Sequence, residues 1–292
     1  NGTYTMTQAG VWTFDPNNNL VNPADATFSY TITDGDGDPD TALQPITIID
    51  GKALTATKNA AITVDEEGLD TANALGSAEN PLVVGEESTL ERASDTVTFL
   101  AGSDAITGMV FGSTALLTAN VNGIAGNDIV WSAGGGTVIT GTIGGLLAIT
   151  ITLTPILAGP TGTATGTVNV VLSDNFPHIN ALGQNTITLT GLVVTASEAD
   201  TTSADATVTI TVVDDIPDAV NDTAQSVAED FVGTIGGTVM ANDTQGADGA
   251  VVTSITVNGI TTIVPVGGLT YSNANGTYTM TQAGVWTFDP NN

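Results

Sequence analysis

Residues Asp34 to Asp40 read DGDGDPD, four carboxylates in seven positions spaced by glycine and proline. Carboxylates at alternate positions can converge on one hard cation, because Gly35 and Gly37 let the backbone curl and calcium is bound through oxygen. An ordinary acidic turn is the plainer reading, but adjacent carboxylates repel by about 1 kcal/mol per close pair even in water. The run is not an EF-hand loop, which needs Gly at its sixth position and Glu at its twelfth; counted from Asp34, those places hold Pro39 and Pro45. A second cluster, Asp214, Asp215, Asp218 and Asp222, surrounds Pro217, and Glu229 with Asp230 follows closely enough to return and complete a shell. A third, Asp65, Glu66 and Glu67, comes shortly after Asp50 and is expected to face Asp34–Asp40 across a joint at Asp50. Each cluster has a solvated acidic turn or hinge as its alternative. Ca2+ is the expected cofactor.

Other chemistry is sparse. The chain has no cysteine, which removes disulfides, thiolate nucleophiles and thiolate metal sites. His178, in SDNFPHIN, is the sole histidine, and with no GxSxG elbow or HExxH pair it reads as a loop or core residue. Aromatics make up 5% of residues, few for lining sugar subsites. No enzyme activity is expected.

The elements that must position these carboxylates read as strands. TFSYTIT (27–33), LLAITITLT (146–154), GTVNVVL (166–172) and DATVTITVV (205–213) alternate apolar residues with Thr, the period of a half-buried strand, and Gly, Asn, Asp and Pro punctuate them. Glu66 to Glu79 offers at most a short helical turn. Trp12 and Phe14 fall on one face of a strand and read as core. Two acidic junctions divide the chain, ITIIDG (46–51), whose strand ends at Asp50, and VVDDIPDAVND (212–222), whose strand closes with Val213; Pro217 cannot donate to a ladder. The expected organisation is a C-terminal half-domain over 1–50, a complete longer β-sandwich over 51–215, and an N-terminal half-domain over 216–292. The fold class is all-β, with antiparallel sandwiches in tandem.

Composition narrows the partners. Thirty-one acidic residues face three basic ones, for a net charge of −28. Such a surface excludes nucleic acid as a natural partner and disfavours anionic membranes. No run of about eighteen apolar residues offers a membrane span.

Residues 1–18 recur letter for letter as 275–292. Repetition at fixed period marks an array, and one this long suits whole domains on a string. The first half-domain then continues the last one of the preceding repeat, so the halves are expected to be open-edged alone. Neighbouring repeats of the same chain, or identical chains end to end, are the expected partners.

The series VVDDIPDAVND, SVAED, VMANDTQGADG, GVWTFDPNN and FSYTITDGDGDPDTA resembles the Ig-like and cadherin-like (VCBS-type) repeats of giant bacterial RTX and biofilm adhesins exported by type I secretion. The tail ITLTGLVVTASEADTTSADATVTITVVDDIP is similar to the longer repeat these adhesins intersperse, with Glu198, Asp200 and Asp205 spread out where the family has a fuller Asp-Gly-Asp run. The resemblance implies Ig-like sandwiches outside a bacterial cell, held rigid by calcium between adjacent domains, in a segment that extends an adhesive tip or builds biofilm. It adds Glu198 and Asp200 to the candidate ligands. Two alternatives stand beside the extender: an adhesive module recognising a glycan or another cell, and a filament subunit whose split domain is completed by a second chain.

Overall fold

The computed structural model describes all residues except 18, 19, 21, 22, 70–90, 118–128, 177, 179–182, 248 and 292. Most of the Glu66–Glu79 stretch lies outside the described residues. Strands dominate. The first region holds β1 (Gly2–Met6), β2 (Trp12–Pro16), β3 (Ala24–Asp25), β4 (Phe28–Thr33), β5 (Pro39–Gln44) and β6 (Thr47–Ile48). The central region holds β7 (Thr55–Lys58), β8 (Ala60–Asp65), β9 (Arg92–Leu100), β10 (Ile106–Phe111), β11 (Ile129–Trp131), β12 (Val138–Ile143), β13 (Leu146–Ile156), β14 (Thr163–Leu172), β15 (Thr186–Glu198) and β16 (Ser203–Val213). The last region holds β17 (Ile235–Thr238), β18 (Ser254–Val257), β19 (Ile260–Ile263), β20 (Leu269–Asn273), β21 (Gly276–Met280) and β22 (Val285–Pro290).

The central strands form two facing sheets, β10-β15-β16-β8 and β11-β12-β13-β14-β9-β7. Their burial alternates as the Val/Ile/Thr spacing predicts: Val168, Val170 and Leu172 of β14 and Val208, Ile210 and Val212 of β16 point inward, with the intervening residues half-buried or exposed. Phe99, Phe111, Ile149, Ile151 and Leu189 join them in one continuous core. Truncating one of these large side chains costs about 2–5 kcal/mol through lost burial and the cavity left behind. Pairing is antiparallel except between β16 and β8, which run parallel with Val213 beside Asp65. That exception sends the ends of both strands out at the same end of the sandwich.

The duplicated segment provides an internal control. In both copies the hairpin pairs the same five residues, from Gly2↔Pro16 to Met6↔Trp12 and from Gly276↔Pro290 to Met280↔Trp286. The rings of Tyr4 and Phe14 stand 4.6 Å apart, as do those of Tyr278 and Phe288. Local sequence therefore sets the hairpin, while its surroundings differ. The first copy packs its aromatic face on Phe28, at 5.7 Å from Tyr4 and 5.3 Å from Trp12, and the Tyr4 hydroxyl donates to the Ala26 carbonyl. The second is flanked by β20 and β17. Strands β1–β6 are mostly exposed, and Ala26 is the buried apolar residue among those described there.

Candidate metal centres at the two ends of the sandwich

The upstream end of the central sandwich is built by the β9–β10 turn, the β15–β16 turn and the linker arriving from β6. Ser103 Oγ accepts the backbone N–H groups of Gly51 (3.1 Å) and Lys52 (2.8 Å), and the Ser103 N–H donates to the Lys52 carbonyl at 3.0 Å. Position 102 must be glycine, because a Cβ there would lie 2.1 Å from the Lys52 carbonyl oxygen. The two turns are tied together as well: the Ala199 N–H donates to Ala105, and the Gly102 N–H to Glu198 Oε1 at 2.5 Å. Glu198 Oε2 accepts the Thr202 hydroxyl at 2.9 Å, and Asp200 Oδ1 accepts the Thr202 N–H and hydroxyl at 3.0 and 2.7 Å.

Asp104 stands inside this frame. It is 1% exposed, and among the described residues neither carboxylate oxygen has a hydrogen-bond partner. Burial pushes its carboxyl above the ordinary range, and the charges of Asp200, Glu198 and Asp50 push in the same direction. A buried carboxylate with no donor is costly unless a charge compensates it. Asp50, Asp104, Glu198 and Asp200 thus offer oxygen atoms alone, the donor chemistry of calcium. Among the described residues no three of these four bring ligand oxygens within 4.8 Å of one another, so an ion there would have to draw them together, with Asp104, which has no hydrogen-bond partner among the described residues, as its first ligand. Asp104 was not legible in the sequence, where it is a lone acid in AGSDAIT. Only the fold brings it beside Glu198.

The downstream end gathers Glu66, His178 and Asp214, whose ligand atoms lie within 4.8 Å of one another. Parallel β8 and β16 deliver Glu66 and Asp214 side by side. Asp65 caps the short 3-10 turn Glu66–Gly68, its Oδ1 accepting the Glu67 N–H at 3.0 Å, and Glu67 faces solvent. This corrects the expectation that Asp65–Glu67 face Asp34–Asp40 across the Asp50 joint: β8 carries them along the sandwich to Asp214. Beyond Asp214, Asp215 Oδ2 accepts the Ala247 N–H, and a Cβ at position 246 would lie 2.7 Å from that oxygen. Asp218 forms a reciprocal backbone bridge with Thr244, while Asp243 Oδ1 accepts the Val220 N–H at 2.8 Å. These acids fasten the outgoing linker to the last region. Asp222 lines a shallow pocket with Tyr278 and Trp286, and Glu229 and Asp230 line another with Val232 and Asn291.

The DGDGDPD run brings three of its four carboxylates together, Asp34, Asp36 and Asp38, all exposed. Asp34 Oδ1 accepts N–H groups from Asp36, Gly37 and Asp38 at 3.3, 3.0 and 2.9 Å. Hydrogen bonds from the Asp36 side chain and the Asp38 backbone, the larger causes, hold the Asp34 carboxyl below its usual range. Asp34 therefore builds the turn, with Gly37 at φ +103° completing it. Asp40 lies on β5 and accepts its neighbour Thr41's N–H.

Residues 1–47 match the family model of a bacterial Ig domain. No curated protein matches the chain. The resemblance is thereby supported as far as an Ig-like repeat, and the all-β architecture agrees. Bacterial Ig domains are generally surface-associated or extracellular, adhesin-type modules without enzymatic chemistry. No helix among the described residues is long and apolar enough to cross a membrane.

Proposed function

We propose that this chain is a calcium-stiffened extender segment of a long repetitive bacterial surface adhesin, supporting adhesion or biofilm formation. One observation carries the calcium half of the reading: a buried carboxylate, Asp104, without a hydrogen-bond partner, among Asp50, Glu198 and Asp200. Asp50 belongs to the incoming linker and the other three to the sandwich. An ion shared between them ties linker to sandwich, while Ser103 grips the neighbouring backbone and Gly102 permits its close approach. Calcium supplies the positive charge that these carboxylates otherwise lack. The exact recurrence of the hairpin supports the extender half. A repeat domain then takes residues 216–292 from one unit and the equivalent of 19–50 from the next, and alternates with the central 51–215. Export by type I secretion belongs to this same proposal as a finer point, whereas completion of the split domain by a second chain is the alternative reading, a filament subunit.

Thermal unfolding with calcium and with chelator tests it, at matched ionic strength. A calcium-dependent rise in Tm that disappears in Asp104→Asn is expected. Equal melting in both conditions would leave the acidity as a solubility device and shift attention to a ligand-binding module.

A further inference from the structure

The downstream cluster differs from every other acidic group in the chain because it contains an imidazole. The Glu66 side chain is 0% exposed and that of His178 4%, with His178 Nε2 3.2 Å from Glu66 Oε2. Asp214 is 9% exposed. Glu66 is held in place by the Phe176 N–H, which donates to Oε1, leaving Oε2 towards His178. Asp214 is held by its own backbone N–H to the Asn185 carbonyl at 2.9 Å, and the Asn185 amide reaches Oδ2 at 3.4 Å.

We propose that Glu66, His178 and Asp214 form a site for a divalent transition-metal ion of the zinc class, distinct in chemistry from the all-oxygen upstream end. Charge is the first argument. A protonated His178 would balance one of the two buried carboxylates and leave the other; a neutral imidazole with a divalent cation balances both. Ligand type is the second. Imidazole nitrogen suits zinc, nickel, iron and copper, whereas calcium is held by oxygen. Geometry is the third. Three ligand atoms within 4.8 Å need to close to roughly 3.4 Å separations around an ion with bonds of about 2.0–2.1 Å, a shift within reach of side-chain rotation. Three protein ligands leave a fourth position for water. The ion would clamp Glu66 at the end of β8, His178, and Asp214 at the end of β16, at the point where the chain leaves for the last region.

The inference stands apart from the calcium reading, and its test separates the two. Titration of the full chain with zinc chloride in saturating calcium should show one tight equivalent. X-ray absorption of the zinc-loaded, unmutated chain should show an imidazole nitrogen in the first shell at about 2.0 Å. His178→Ala should weaken zinc binding by about 100-fold or more, since outer-shell partners alone carry roughly 10–100-fold, and should keep the calcium-dependent rise in Tm. Asp104→Asn should do the reverse. A first shell of oxygen alone, no tight equivalent, or unchanged affinity in His178→Ala would overturn the site. The absorption measurement decides the matter even where His178→Ala fails to fold.

Discussion

The two ends of the central sandwich solve one problem in different ways. Each buries carboxylates at a point where the chain passes to the next region. Upstream, the charges that act on Asp104 are those of other acids, Asp50, Glu198 and Asp200, and no hydrogen-bond partner meets it among the described residues. Downstream, Glu66 and Asp214 meet His178. One imidazole changes the class of partner that each end invites: an oxygen-seeking cation at the first, a nitrogen-accepting one at the second. The parallel β8–β16 pair creates the second end, because it makes two strands finish together. On the two proposals above, the joints of such a segment respond to different ions.

The comparison breaks most visibly on removal of calcium. A site filled at a hundred times its Kd contributes about 2.7 kcal/mol, which for a domain of this size is a fall of roughly 5–10 °C in Tm on chelation. Scanning calorimetry checks this. In Asp104→Asn the fall should vanish, and the chelated variant should melt no lower than the chelated parent, because the substitution removes an uncompensated buried charge. A chelated variant well below the parent would mean that Asp104 has a protein partner after all.

Acidity sharpens the same contrast. Asp104 has its folded-state pKa raised above the ordinary 3.8, so the folded state binds its proton more tightly than the unfolded chain does. Without calcium, stability should rise as pH falls through that raised value, with the gain complete by 3.8. With calcium the sign reverses, since protons compete for the ligands. Melting curves at a series of pH values, with and without calcium, should therefore converge on acidification. Parallel curves would remove Asp104 from the site.

The surface run gives the smallest effect. Asp36→Asn with Asp38→Asn leaves the Asp34 turn bonds in place, and the change in stability should stay within about 0.5 kcal/mol, read from denaturant midpoints in calcium. A loss comparable to that of Asp104→Asn would restore DGDGDPD as the principal calcium site.

Much of the fold was legible because period-two Thr/Val/Ile patterning is local. TFSYTIT, LLAITITLT, GTVNVVL and DATVTITVV all appear as strands, and Gly144–Gly145 closes a tight hairpin with both residues at positive φ. The candidate sites were less legible, because convergence is not local. Asp50 and Asp65 are close in sequence, yet the six residues of β8, at about 3.3 Å each, separate the ends they reach by roughly 20 Å. Spacing also drew attention to DGDGDPD, whose leading carboxylate is occupied by backbone N–H groups. Asp104 carried no pattern, and His178 looked solitary because its partners lie on β8's end and β16's end. A lone acid beside Gly-Ser in a turn, opposite an acidic hairpin, is the signal that pairing of the turns would have exposed.

The central claim is mechanical, so the most direct test measures stiffness at the Asp50 joint. The chain has no cysteine, which allows one spin label at Ser29→Cys on β4 and another at Thr188→Cys on β15. Pulsed electron spin resonance then gives the distance distribution between them. The account expects a broad distribution in chelator that narrows with calcium, and no narrowing when Asp104→Asn is added. The same width with calcium, with chelator and in the variant would contradict a calcium-stiffened joint.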